Sequence, residues 1–232
     1  MTEPNLVGGR SVDAPSEELD RFRSIRLLIN HWARPIGPRA YYWYLTFESA
    51  SDLHFLAEEC QRAISFPYYD PTPPSDLHLS LDRVAFDNEI SGEDLAAIES
   101  AAVRACRDIA PFEVTIGSLG GTRGAIGFAA YPEPPIRYLR DRLREATLSV
   151  HPSAPVKHAT FHPHVAIAYC NTDNLPATEA IAAVESRATA DVRVTIEEAA
   201  LVLLERRPRA YAWSTLFRIP FSGYPQPSPL PR

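Results

Sequence analysis

His78-Leu79-Ser80-Leu81-Asp82-Arg83-Val84-Ala85-Phe86 and His164-Val165-Ala166-Ile167-Ala168-Tyr169 are two apolar runs that each open on a histidine. Both carry strand composition, and a strand has a period of two. His78 and Ser80 therefore project from one face of the first run, and His164 and Ala166 from one face of the second. The order of elements around each run is the same. Before the first, Ser49 with Asp52 three residues on predicts a helix over 50–64, with Leu53, Leu56, Ala57, Cys60 and Ile64 on its apolar face. After it, Ser91 with Asp94 starts a second helix through Leu95, Ile98, Val103, Cys106 and Ile109. Strands over 112–118 and 125–130 follow, joined by the turn Gly120-Gly121-Thr122-Arg123-Gly124.

The second pass repeats this plan: a helix over 135–148 (Ile136, Leu139, Leu143, Ala146), the His164 strand, a helix over 176–187 opened by Pro176, and strands over 192–205 and 210–219. Val114-Thr115-Ile116 recurs as Val194-Thr195-Ile196, as expected of equivalent strands in two copies. A duplicated helix–strand–helix–strand–strand unit predicts an α+β fold. Two pseudo-symmetric lobes, about 48–131 and 132–219, hold antiparallel sheets around a central groove, and each is too thin to bury its sheet alone. The bilobal domain covers 41–219, opening on the aromatic strand Tyr41-Tyr42-Trp43-Tyr44-Leu45-Thr46-Phe47. An extension over 1–40 carries one helix capped by Ser16, with Leu19, Phe22, Ile25 and Ile29 on one face. The first fifteen residues and the Pro-rich tail over 220–232 read as loose ends.

Of the 232 residues, 45% are apolar and 22% charged, a globular composition. No apolar run reaches the roughly 20 residues needed to span a bilayer, and the first ten residues lack a signal-peptide core. Three scattered cysteines, Cys60, Cys106 and Cys170, read as buried thiols of a cytoplasmic protein. A net charge of −6 argues against duplex nucleic acid as partner and leaves room for a short phosphorylated ligand, and the lack of a spanning run leaves no membrane partner expected. Lys157 is the single lysine; the arginine bias suits phosphate contacts and equally fits codon bias in a GC-rich genome.

A pseudo-twofold axis would set His78 and His164 on either side of one groove. Two imidazoles facing each other suit general acid–base catalysis, one taking a proton while the other delivers one, with no metal or other cofactor needed. The Ser80 hydroxyl could donate to a phosphoryl oxygen between them. His78-Leu79-Ser80-Leu81, together with Phe161-His162-Pro163-His164-Val165-Ala166-Ile167-Ala168, resembles the 2H phosphoesterase superfamily, in particular its bacterial 2′-5′ RNA ligase-like or cyclic phosphodiesterase branch. The resemblance covers about Tyr41 to Ile219. It implies His78 and His164 as the catalytic pair and Ser80 as a phosphate donor. The implied activity is the opening of a 2′,3′-cyclic phosphate, or of a related cyclic or 2′-5′ phosphodiester, on a nucleotide or RNA end. A monomer acting on a small nucleotide or RNA end is the expected state.

Ala166 departs from the family pattern, which has Ser or Thr there. A water or another donor such as His162 replaces the hydroxyl, or the reaction needs less phosphate stabilisation, or the groove binds without turnover as a regulatory module. Reuse of the same groove by a biosynthetic enzyme on a non-nucleotide substrate is a further alternative. Tyr42 and Tyr44 share a strand face that could stack a nucleobase or simply pack in the core. Phe128 is a further stacking candidate against a core reading, and Arg123 in the Gly-rich turn a phosphate candidate against a solvated one. Arg83 is predicted to point away from His78. His151, His158, His162 and His164 crowd together without the acidic or thiol partners of a metal site, and His31 and His54 have no partner pattern. Cys170 reads as a buried thiol at a strand end. No P-loop, dinucleotide fingerprint or nucleophile elbow is present.

Overall fold

The computed structural model describes residues 14–156, 161–187 and 189–223. Residues 1–13, the Pro-rich segment from 224, Lys157 and His158 lie outside the described residues. Helix α1 (Ala14–Arg23) begins before Ser16, so Ser16 is not its cap, and ends before Ile25 and Ile29, which belong to the irregular segment after it. The chain continues through β1 (Arg39–Thr46), α2 (Ser51–Ala63), β2 (Tyr69–Pro71), β3 (His78–Phe86) and α3 (Gly92–Cys106). Then come β4 (Phe112–Thr122), β5 (Ala125–Tyr131), α4 (Glu133–Val150), β6 (His164–Cys170), α5 (Thr178–Glu185), β7 (Val192–Ile196), β8 (Glu198–Arg207) and β9 (Ala210–Pro220).

Local sequence accounts for most boundaries. The capping box expected at α3 forms, with the Ser91 hydroxyl accepting from the Asp94 amide and the Asp94 carboxylate from the Ser91 amide. The Ser49 cap does not: α2 starts after Ala50 with no side-chain cap. The expected five-residue Gly-rich turn is only Arg123-Gly124, because β4 and β5 pair through Thr122 and Ala125. β2 is three residues at the edge of its sheet and ends on Pro71, too short to leave a periodic signal.

The strands form two antiparallel sheets, β3-β1-β8-β9 and β2-β6-β5-β4-β7. Each draws strands from both passes of the sequence repeat: β3 pairs through β1 with the C-terminal hairpin β8-β9, and β6 pairs with the earlier hairpin β4-β5. The run 192–205, expected as one strand, is two, because the chain leaves the second sheet at Ile196 and enters the first at Glu198. The Val-Thr-Ile echo is not a pair of equivalent strands. Val114 on β4 lies directly opposite Val194 on β7 within one sheet.

The core lies on the sheet faces turned from the groove. Trp43, Leu45, Leu79 and Leu201 share one face of the first sheet, which α3 and α4 approach, and the Trp43 indole N–H donates to Thr147 on α4. Leu119, Phe128 and Val165 share the core face of the second sheet. The opposite face of the first sheet carries a smaller cluster of Tyr44, Ala200, Val202 and Leu204. All three cysteines are buried free thiols. Among the described residues no helix is long and apolar enough to cross a membrane.

Candidate active site

The two sheets approach each other along β3 and β6, which brings the two strand-opening histidines close enough to influence each other electrostatically, His164 lining a groove and the buried His78 lining a smaller cavity. Their local geometry is the same. His78 donates its Nδ1–H to the carbonyl of Asp76 at 2.9 Å, and His164 donates its own to the carbonyl of His162 at 2.8 Å. In each case the acceptor lies two residues upstream, and the bond reserves Nδ1 for the backbone and leaves Nε2 as the basic nitrogen. The surroundings differ. His164 is exposed in the groove, whereas His78 retains 7% exposure, stacked on Tyr44 at 4.2 Å and met edge-on by Trp213 at 4.9 Å. Burial pushes the His78 pKa down to about 4, the nearby His164 adds to the shift, and the Asp76 carbonyl opposes it.

β3 is irregular, and its irregularity shapes the site. Its register against β1 slips at Leu81 and again at Val84, each an extra residue of a bulge. Tyr44 stands opposite Ser80, and Tyr42 opposite Arg83. Residues directly opposite each other share a face, so the bulge at Leu81 brings Arg83 onto the face of His78 and Ser80. Simple alternation placed Arg83 on the other side. Asp82 turns inward instead. Its carboxylate accepts from Arg140 at 3.2 Å and from Arg144 at 2.9 and 3.1 Å, and Arg140 also donates to the carbonyl of Leu81.

A groove of about 540 Å³ runs along this face past Tyr42, Ser80, Arg83, His162 and His164. Its outer wall comes from the N-terminal extension and the Arg123-Gly124 hairpin. Arg21 on α1 reaches to 2.8 and 2.9 Å from the ring nitrogens of His162. Arg123 lines the groove and donates to the carbonyl of Leu27. Arg140 closes the inner end with its guanidinium 4.3 Å over the Phe161 ring. Gly127 lies opposite Ala166, where a Cβ would meet the Val165 carbonyl oxygen at 2.4 Å, so the second sheet has only small side chains at this level.

The groove lining brings together His164, Ser80, Tyr42, His162 and Arg123, while His78 and Tyr44 lie behind it, with His78 lining the smaller cavity. Tyr44 serves as the stacking partner of His78, leaving Tyr42 in the groove lining. Phe128 stands apart: its register opposite Val165 and Leu119 turns it into the core, with 0% exposure. Arg21, Arg83 and Arg140 were not singled out as groove residues by the sequence. Arg21 sits outside the repeat, Arg83 depends on a bulge, and Arg140 sits among the apolar positions of α4, a signal too weak to separate from an ordinary helix.

His78 itself lines a second cavity of about 140 Å³, together with Trp32, Thr72, Tyr169, Tyr211 and Trp213. His31 lies 4.2 Å from the Tyr169 ring, with Nε2 2.6 Å from the Tyr211 hydroxyl, and burial pushes its pKa to about 4. His54 is held by the carbonyl of Phe47, and His151 by Ser153. Among the described residues no three His, Cys, Asp or Glu side chains gather as a metal site.

Two histidines depressed to about 4 make folding pH-dependent. The unfolded chain protonates them near pH 6.5, before the fold does, so stability is full above that value and falls as the pH drops towards 4. His78 alone accounts for at most about 3 kcal/mol. Urea unfolding at pH 7 and pH 4.5 should show a smaller loss for His78→Gln than for the unmodified chain; equal losses would remove His78 from the effect.

Among solved structures, the fold is similar to that of TT0787 of Thermus thermophilus, at 21% identity and a TM-score of 0.60, covering 80% of this chain and 98% of that one. It is similar to Escherichia coli LigT complexed with NADP+, at 16% identity and a TM-score of 0.58, covering 79% and 98%. LigT complexed with 3′-AMP gives 16% identity and a TM-score of 0.56, covering 80% and 99%. At these identities the likeness is one of fold. No curated protein sequence matches the chain. The model of the 2′-5′ RNA ligase superfamily matches residues 47–208, beginning after α1 and β1 and spanning both histidine strands. The chain belongs to the 2′-5′ RNA ligase superfamily.

Proposed function

We propose that the chain is a phosphodiesterase that opens a 2′,3′-cyclic phosphate, or a related cyclic or 2′-5′ phosphodiester, on a nucleotide or RNA end. Superfamily membership supports a phosphodiesterase-type activity in general. The observation that carries the finer reading is the matched pair of histidines, each with Nδ1–H fixed on a carbonyl two residues upstream and Nε2 left to act. Burial holds the His78 pKa down to about 4, which favours His78 as the base. It takes the proton of the attacking water as the water oxygen bonds to phosphorus. His164 gives a proton to the ribose oxygen as the P–O bond breaks, and the product is a phosphomonoester. Ser80 donates to a phosphoryl oxygen on the His78 side. On the His164 side Ala166 offers no donor, and His162, lining the groove beside Arg21, fills that role. LigT holds 3′-AMP and NADP+ in its complexes, which supports a small nucleotide as ligand.

Ala166 also favours a second reading, a groove that binds a nucleotide without turning it over. Incubation with 2′,3′-cyclic AMP and with a 2′-5′-linked dinucleotide, both with EDTA present, separates the two. Phosphomonoester or cleaved product from the unmodified chain, absent from the His78→Ala/His164→Ala double variant, is the expected result. Saturable binding of both compounds with no product would overturn the hydrolase.

A further inference from the structure

The groove carries more positive charge than one cyclic phosphate between two histidines needs. Arg21, Arg83, Arg123 and Arg140 line it, with Asp82 the one carboxylate in the lining, in a chain whose net charge is −6. Asp82 is already shared between Arg140 and Arg144. Arg83 and Arg123 form no ion pair with a carboxylate among the described residues. Arg83 lies half-buried with its guanidinium 4.4 Å over the Phe86 ring, and Arg123 spends its Nε–H on the Leu27 carbonyl. A half-buried guanidinium without a carboxylate partner, turned into a groove by a bulge, keeps its planar fork available for an anion.

The position of these groups says what the anion is attached to. Arg83 follows Ser80 by three residues on the same face, with one residue taken up by the bulge, so it stands roughly 7 Å further along β3. A ribose spans such a distance between its 3′ and 5′ substituents. From this arrangement we infer that the groove holds a second phosphate subsite, built by Arg83 and Arg123 and bordered by Arg21. The ligand is then a nucleotide with a further phosphate on the 5′ side of its reactive end, as in an oligonucleotide terminus. The subsite deepens the reading above and rests on it for the place of the first phosphate. Arg21 is on α1, which precedes the residues matched by the superfamily model.

Calorimetric titration of the full chain with adenosine 3′-monophosphate and adenosine 3′,5′-bisphosphate tests the subsite without relying on turnover. The bisphosphate is expected to bind at least about tenfold tighter, as one charge-assisted fork on a phosphate warrants. Arg83→Gln and Arg123→Gln should each reduce that ratio several-fold. Arg193→Gln, which removes the same charge from an exposed position on β7, should keep it, and thermal midpoints confirm that the variants are folded. Equal affinity for the two nucleotides, or a ratio that Arg83→Gln and Arg193→Gln change alike, overturns the subsite. If cyclic nucleotides are turned over in that case, the hydrolase reading stands alone. A bisphosphate preference abolished by Arg83→Gln in a chain that turns over nothing supports the subsite and removes the hydrolase.

Discussion

His164→Ala is expected to lower kcat for a 2′,3′-cyclic nucleotide by about 10²–10⁴-fold, with KM changed far less, because a positioned proton donor acts in the transition state and not in binding. His78→Ala should cost a similar factor, and the pH profiles should tell the two apart. With His78 as the base, kcat/KM of the unmodified chain stays level down to about pH 5 and falls as the pH approaches 4, where the imidazole protonates in the free protein. That acid limb should vanish in His78→Ala and persist in His164→Ala. An acid limb near pH 6.5 would mean that substrate-free His78 is not the base, and a loss below threefold in both variants would remove the pair from the chemistry.

The second large effect is on stability. Asp82→Ala should destabilise the fold by about 3–5 kcal/mol, since it leaves Arg140 with no carboxylate and Arg144 with only the exposed Asp141 at 3.9 Å. The side chains of Asp82 and Arg140 are 8% exposed and that of Arg144 20%, so water cannot readily replace the lost partner. Removing charge on both sides should cost much less: Asp82→Leu/Arg140→Met trades a buried ion pair for apolar packing of similar volume. Urea denaturation of the two variants measures the contrast. A loss under 1 kcal/mol in Asp82→Ala would show that the arginines find solvent, and equal losses would show that the site depends on Asp82 for more than its charge. The same cluster grips β3 at its bulge through the Leu81 carbonyl, so Asp82→Ala should also loosen the groove edge that carries Ser80 and Arg83.

Alternation made β3 legible from His78 to Phe86, and the Ser91–Asp94 pair made the start of α3 legible, because both signals are local. The expectations that failed depend on distant partners. Nothing within the run 192–205 marks Glu197 as the point of transfer between sheets, since both halves are strands with apolar positions. The Val-Thr-Ile echo reads like duplication until the register pairs the copies as neighbours. Phe128 sits on an apolar strand, and only the pairing of β5 with its neighbours decides that its face is core. The bulges in β3 come from its match with β1, so period two carries His78 and Ser80 to the groove but loses Arg83. Tyr169, Tyr211, Trp32 and His31 meet from three separate segments and leave no spacing to read.

The exchange of strands between the two sheets has a consequence for how the chain acquires its shape during synthesis. β1 emerges from the ribosome early and pairs with β3 soon after, but its other edge stays open until β8 is made about 150 residues later. In that interval the edge that β8 will cover, with Trp43 and Tyr44 on it, is available to any other strand. Contacts between such distant segments slow folding. A nascent chain halted before residue 198 is therefore the form most in need of a chaperone, and the β8-β9 hairpin is the one that commits the first sheet.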